Sequence, residues 1–474
     1  MSQLPILSFL IFLPIIVAVA IIFLPKNRIN IVCIGFVASL VNFLISLKLI
    51  FDFDKNIEFN FIEKISLISK YDINYHLGID GISLFLILLT TFLIPICFII
   101  SKNSIKNFGK EYVICFLLIE SFVIASFAAL DLVLFYIFFE ATLIPMFLII
   151  GIWGGINRIY ASYKFFIYTL FGSLFFLIAI IYLCNEFGTA NILLLEQKVK
   201  TLDFEITKYL FLAFFISFAI KIPMFPFHTW FPDAHVQAPT SGSVILAGVL
   251  IKLGAYGFLR FSLPFFPEAS LHYSTFIFTL SVIAIIYTSI IAIKQEDIKK
   301  MIAYSSVAHM GFVTIGIFSL NDLGISGAIM QILSHGLISA ALFIAIGMIY
   351  ERTKTRQIKD YGGLVRKMPN YALFFMIFTL GSVGLPATSG FVGEFLAIIG
   401  VFQVSALFAA LAALAVILGA CYMLPLYSNI FYKDLSPKLK DIKDVNRVEY
   451  IVLFILSFLI ILFGVFPNLI LSYI

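Results

Sequence analysis

Apolar runs of about twenty residues, separated by short clusters of charged and turn-forming residues, recur along the whole chain. A helix of that length spans the hydrocarbon core of a bilayer. The pattern predicts helices near 3–24, 29–49, 81–101, 112–130, 132–153, 160–184, 206–225, 241–262, 272–293, 301–320, 323–350, 371–403 (interrupted), 405–432 and 449–473. The expected fold class is an all-α polytopic membrane protein of about fourteen transmembrane helices, forming one membrane domain over 1–474. Two longer loops, near 50–80 and 185–205, mix charges with apolar and aromatic residues. The stretch IEFNFIEKISLI in the first of them alternates enough to predict a short strand or hairpin.

Composition agrees with lipid as the solvent: 62% of residues are hydrophobic and only 12% charged, against about a quarter charged in soluble proteins. The formal charge of +5 resides in loops and gives no argument for nucleic acid. Cys33, Cys97, Cys115, Cys184 and Cys421 show neither CxxC nor Cys/His ligand spacing, so neither a disulfide framework nor a metal site is expected. Met1 to Leu24 lacks a basic n-region and a small-residue cleavage site, which predicts a retained first helix. Assigning the 31 Lys and Arg to alternating loops puts about two thirds on one side, from Lys26 and Arg28 through Arg352–Lys367 to Lys433–Arg447. The positive-inside rule then makes those loops cytoplasmic and sends both termini outward, periplasmic if the membrane is a bacterial inner membrane.

Ionisable residues at bilayer depth are costly and normally face a bundle interior or a hydrated cavity. The candidates are Glu120, Glu140, Lys221, Lys252, His309, His335 and Glu394. Glu140, Lys252, His309 and His335 fall within roughly 6 Å of one depth at 1.5 Å per residue. A row at common depth on several helices makes an axis along which protons can hop, which a merely structural bundle does not need. Blander readings stand beside it: Glu140 and Lys221 as an ion pair that fixes packing, the histidines bonded to backbone carbonyls, and Glu120 paired locally. No carboxylate shares the helix of Lys252, and a desolvated lysine exchanges protons more readily.

Two predicted helices are broken beside these charges. In AIKIPMFPFHTWFPDAHVQAPTS, Pro223, Pro226, Pro232 and Pro239 follow Lys221, and the missing proline N–H groups predict freed carbonyls at Ala219 and Ile222. In GSVGLPATSGFVGEF, Pro386 interrupts the helix, Thr388 or Ser389 is the expected N-cap, and Glu394 enters in the opening turns of the second half. The separation of Glu140 from Lys221 nearly equals that of His309 from Glu394. This spacing predicts two inverted five-helix repeats, 112–262 and 272–432, after helices in 1–111 and before a last helix in 449–474. His228, Asp233 and His235 flank the first break without a third ligand at useful spacing, so proton entry or loop packing is expected there, not a metal. No Walker A sequence, GxGxxG after a strand, Cys cluster or nucleophile elbow occurs, so energy from cofactor chemistry has to come from partners.

The segments DLVLFYIFFEATLIPMFLIIGIWGG, KIPMFPFHTWFPDAHVQAPTSGSVILAGVLIKLGAYGFLRF, AYSSVAHMGF and GFVGEF closely resemble the antiporter-like subunits of proton-pumping NADH:quinone oxidoreductase, respiratory complex I, and among them the subunit M (chain 4) family. The resemblance runs from about residue 75 to 430. It implies fourteen helices with two inverted repeats, a carboxylate at Glu140 paired with Lys221, a central Lys252, and a path continued by His309, His335 and Glu394. Related subunits N and L usually carry lysine where Glu394 stands, and L has an extra lateral helix. Phe139 replaces the tryptophan usual before the glutamate, and Gln237 stands where many relatives are acidic. Implied partners are other membrane-arm subunits, especially L- and N-type neighbours, and membrane lipid. FMN, iron–sulfur clusters and quinone are implied in partner subunits, with no cofactor in this chain. The alternatives are an Mrp-type sodium/proton antiporter subunit and a non-transporting scaffold.

Overall fold

The computed structural model describes residues 5–24, 28–102, 105, 107–439 and 441–474. Lys26, Lys106 and Lys440, counted in the charge sorting, and the first residues of the opening predicted helix lie outside the described residues.

Helices form where the apolar runs stand. In chain order they are α1 (Ile6–Phe23), α2 (Arg28–Phe51), α3 (Gly81–Ser101), α4 (Gly109–Ala128), α5 (Leu132–Trp153), α6 (Arg158–Phe187), a short α7 (Ile192–Val199), α8 (Phe204–Lys221), α9 (Trp230–Gln237), α10 (Thr240–Phe265), α11 (Pro267–Ile293), α12 (Ile298–Ile317), α13 (Asp322–Thr353), α14 (Pro369–Val383), α15 (Ser389–Val404), α16 (Ala406–Phe431) and α17 (Arg447–Val465). Among the described residues, eleven of these are long and apolar enough to cross a membrane. Several starts are set by a short polar side chain that accepts from the first free N–H groups. Asp80 caps α3, Asp131 α5, Asp203 α8, Asp297 α12, Asn321 α13 and Asn446 α17.

Burial sorts the helices into centre and rim. The apolar window of α13 is wholly buried and that of α10 is 94% buried, whereas α1, α16 and α17 bury a third or less of theirs. The predicted hairpin is present: β1 (Asn60–Ile68) pairs antiparallel with β2 (Ile73–Ile79). Glu63 of β1 accepts from the N–H groups of Leu7 and Ser8 at the start of α1, and the Asn74 N–H of β2 donates to Asp131 at 2.8 Å. The hairpin thus clips α1 to α5 on one end of the bundle. At the opposite end the basic loops are pinned by Arg352 to Glu449 (2.6 Å), Arg356 to Asp297 (3.3 Å) and Lys164 to Asp233 (2.7 Å).

Both predicted breaks occur. α8 stops at Lys221, and the chain turns through Ile222–Thr229 before α9. α14 ends at Val383, and Gly384 to Thr388 lead into α15. Two local details differ from expectation. The Ala219 carbonyl is not free, because the Met224 N–H reaches it at 2.8 Å, and Trp230 Nε1 takes the Ile220 carbonyl at 3.0 Å. Thr388 stands at the N-cap of α15, but its hydroxyl donates backward to the Leu385 carbonyl at 2.6 Å instead of capping.

Candidate functional site

The polar row is assembled on α10, α13, α12 and α15, the first two being the most buried helices. α10 departs from α-geometry in two places, with π-helical turns at Leu246–Leu250 and Phe258–Ser262 on either side of Lys252. Such turns recur at functional sites because they redirect side chains and loosen backbone bonding. The Lys252 ammonium, fully buried, donates to the Ala247 carbonyl at 2.5 Å and lies 2.6 Å from His335 Nδ1. Close helix approach makes this reach possible: a Cβ on Gly336 of α13 would come within 3.0 Å of the Gly248 carbonyl of α10. Small residues at such crossings let buried helices approach closely.

From His335 the row continues across a gap: the His335 Nε2 has no hydrogen-bond partner among the described residues, and its ring centroid is 5.6 Å from that of His309. His309 Nδ1 lies 2.8 Å from Glu394 Oε1, and its Nε2 is 3.2 Å from the Ser382 hydroxyl. Gln331 Nε2, one turn before His335 on α13, donates to the same carboxylate oxygen at 3.1 Å. Lys252, His335, His309 and Glu394 are all buried, so neighbouring protein groups set their charge balance. Two positive charges about 4 Å apart repel by about 4 kcal/mol at an effective dielectric of 20. Lys252 and His335 therefore hold one excess proton between them more readily than two.

The other half of the row is looser. Pro145 offers no N–H to the Ala141 carbonyl, and the regular helix is interrupted at Thr142, just past Glu140. Lys221 is buried and packs its ammonium over the Phe139 ring, 4.4 Å from the centroid, with the Thr142 hydroxyl at 3.4 Å. Glu140 is half-buried, with one carboxylate oxygen buried and unpartnered among the described residues. It interacts electrostatically with Lys221 and lies within reach of the Ser173 hydroxyl. The implied Glu140–Lys221 ion pair is not closed: the lysine spends its contacts on Phe139 and Thr142. α10 passes directly over the end of α8, since a Cβ on Gly254 would lie 2.7 Å from the Phe218 carbonyl and 3.2 Å from Lys221 Cβ. No hydrogen bond joins Lys221 to Lys252 among the described residues.

Glu120 stands apart from the row. It is fully buried in α4 and accepts from Asn42 of α2 at 2.9 Å, which is the local pairing the blander reading anticipates. Around the first break, Asp233 is taken by Lys164, and His228 stacks against Phe225 with centroids 5.7 Å apart. His235 is different. It is fully buried against Phe231 and Phe343, neither ring nitrogen has a partner among the described residues, and it lies within electrostatic reach of Lys252, Lys299 and His335. Gln237 has a structural task, accepting from the Asn157 N–H at 3.0 Å and holding the loop between α5 and α6. Sequence reasoning passed over Gln331, Ser382 and Thr142. Their signal was positional: Gln331 lies four residues before His335, and Thr142 two after Glu140.

Residues 129–419 match the family described as NADH:quinone oxidoreductase/Mrp antiporter, TM, and residues 7–126 match NADH-ubiquinone oxidoreductase chain 4, amino terminus. The chain is 50% identical to NADH-quinone oxidoreductase subunit M of Rickettsia typhi, over 100% of this chain and 97% of that protein. Among solved structures it superposes on a chain of respiratory complex I from Thermus thermophilus with bound NADH, with TM-score 0.88, 30% identity and coverage of 98% and 96%. It also superposes on a chain of the Mrp complex from Dietzia sp. with TM-score 0.86 and coverage of 98% and 51%. At 18% identity that likeness shows the shared fold alone.

Proposed function

The chain belongs to the NADH:quinone oxidoreductase/Mrp antiporter membrane family, in its subunit M (chain 4) branch, and on that premise we propose that it carries protons through the membrane arm of NADH:quinone oxidoreductase along its buried Lys/His/Glu row. The observation that carries this reading is the contact sequence Lys252, His335, His309, Glu394. Each member accepts and releases a proton, and each touches or faces the next.

The chemistry follows from the atoms. A protonated Lys252 has three N–H donors, of which two are engaged by the Ala247 carbonyl and His335 Nδ1. Transfer to Nδ1 makes an imidazolium whose Nε2–H is free to pass a proton onward, across the ring gap, by way of one water or a ring rotation. His309 can then receive it while its Nδ1 faces Glu394, and the carboxylate draws positive charge along the row. Glu140 and Lys221 form the loading half, and their open spacing leaves room for the proton to be exchanged rather than locked in a closed pair. Redox energy reaches the row from partner subunits, which hold the FMN, iron–sulfur clusters and quinone in this reading, and half-buried Glu140 offers the electrostatic handle at the flank. The basic loops face the cytoplasm and the hairpin and both termini the periplasm of a bacterial inner membrane, in line with the positive-inside count.

The test is Lys252→Met in the purified, reconstituted complex. The expected result is a loss of NADH-driven proton uptake of at least about tenfold, or ~1.4 kcal/mol, with NADH oxidation by an artificial acceptor retained as the assembly control. Full pumping by this variant would favour a scaffold. The Mrp-type alternative keeps one testable mark: gradient formation that depends on sodium and not on NADH.

A further inference from the structure

α10 carries Lys252, Tyr256 and Arg260 at four-residue intervals, which stacks them along one face in the direction of the hairpin. The Tyr256 hydroxyl donates to the Phe127 carbonyl (3.1 Å), meets Ser83 (3.2 Å) and accepts from Arg260 Nε (3.1 Å). Arg260 Nη2 pairs with Asp80 Oδ2 at 2.5 Å, and Asp80 is itself fixed as the N-cap of α3 by the Ser83 N–H. Phe59, just before β1, covers the guanidinium at 5.0 Å. The arginine side chain is 12% exposed, at the foot of the hairpin, and the π turn Phe258–Ser262 is what carries it.

Tyrosine and arginine are poor proton carriers here for opposite reasons. The phenol is engaged by three neighbours, and the guanidinium stays protonated at any accessible pH. A permanently charged arginine in a narrow passage repels protons and other cations. We propose that Arg260, held by Tyr256 and covered by Phe59, is the barrier that isolates Lys252 from the hairpin face, so that protons already delivered outward do not return to the lysine. This rests on the proposed proton-carrying role of the row and on the hairpin facing outward. It makes the path one-sided: Lys252 communicates with the outside only by way of His335, His309 and Glu394.

The test is passive proton return in proteoliposomes holding the whole complex, measured as the decay of an NADH-driven pH gradient after the enzyme is inhibited. Arg260→Gln should collapse the gradient several-fold faster than wild type, and Arg260→Met, which keeps the length of the side chain, should do the same. Arg260→Lys should restore tightness because it keeps the charge. Asp80→Asn, which breaks the ion pair but leaves the guanidinium, should stay tight. The proposal is overturned if either neutral arginine variant assembles and decays at the wild-type rate, or if Asp80→Asn leaks as fast as Arg260→Gln, since the pair would then act as a structural clasp. A wild-type complex that forms no gradient would instead remove the transport reading beneath it.

Discussion

At the residue scale, the row is legible in the sequence to the extent that its members carry charge. Lys252, His309, His335 and Glu394 announce themselves as ionisable groups within apolar runs, and they do come together. Gln331 does not announce itself, because a neutral amide inside a membrane helix has many uses; only its place one turn from His335 links it to the site. Its contribution is measurable. Gln331→Leu removes the amide donor to Glu394 Oε1, a hydrogen bond worth about 1.4 kcal/mol. The expected result is roughly a tenfold slower proton-pumping rate at unchanged artificial-acceptor activity; wild-type pumping would show that His309 alone sets the state of the carboxylate. Glu140 and Lys221 mark the limit of reading by type: opposite charges on neighbouring helices predict an ion pair, yet the ammonium lies over the Phe139 ring. A ring face competes for a buried cation, and which partner wins depends on side-chain direction, which spacing does not specify.

At the element scale, the prolines locate both breaks, but the freed carbonyls are partly re-satisfied by groups from further along the chain, Met224 N–H and Trp230 Nε1. Proline removes a donor locally, whereas its replacement comes from wherever the fold returns, so the break is readable and its satisfaction is not. Helix approach is likewise set by residues with nothing to titrate. A Cβ on Gly336 would lie 2.6 Å from Leu89 Cδ2 and 3.0 Å from the Gly248 carbonyl, so larger side chains there must push α10 away from α13. Gly336→Leu should cost about 1–3 kcal/mol in overpacking and lengthen the 2.6 Å contact between Lys252 and His335. Gly336→Ala should sit between it and wild type. Pumping and complex yield, measured across the series, should fall together from Gly to Ala to Leu, and an assembled Leu variant that pumps normally would separate helix approach from proton transfer.

At the scale of the whole molecule, polytopic organisation and family were readable because lipid imposes long apolar runs, while the tying of the ends was not. Two of the carboxylates that clip the hairpin to the bundle do so with opposite pH signs. Asp72 accepts from the Thr189 hydroxyl at 2.7 Å and the Asn74 amide at 2.8 Å, and these bonds hold it below its usual 3.8. Its contribution is present above that value and lost as pH falls through the lowered folded one. Burial pushes Asp131 up to about 6, so its contribution is complete below the ordinary carboxylate value and lost as pH rises through about 6. Hairpin protection in amide exchange, corrected for intrinsic rates, should therefore peak near pH 3.8, fall below it, and decline as pH rises toward about 6. Asp131→Asn should flatten the upper limb and Asp72→Asn the lower, and a flat profile in the wild type would refute the assignment. Within this tied frame, α10 carries two fixed offsets. Each π turn holds one residue more than an α turn, and so advances every later side chain by about 100° about the helix axis relative to a regular helix. The turn at Leu246–Leu250 stands before Lys252 and the turn at Phe258–Ser262 after it, so the direction of the lysine is set by the first and the side chains nearest the hairpin are re-aimed by the second.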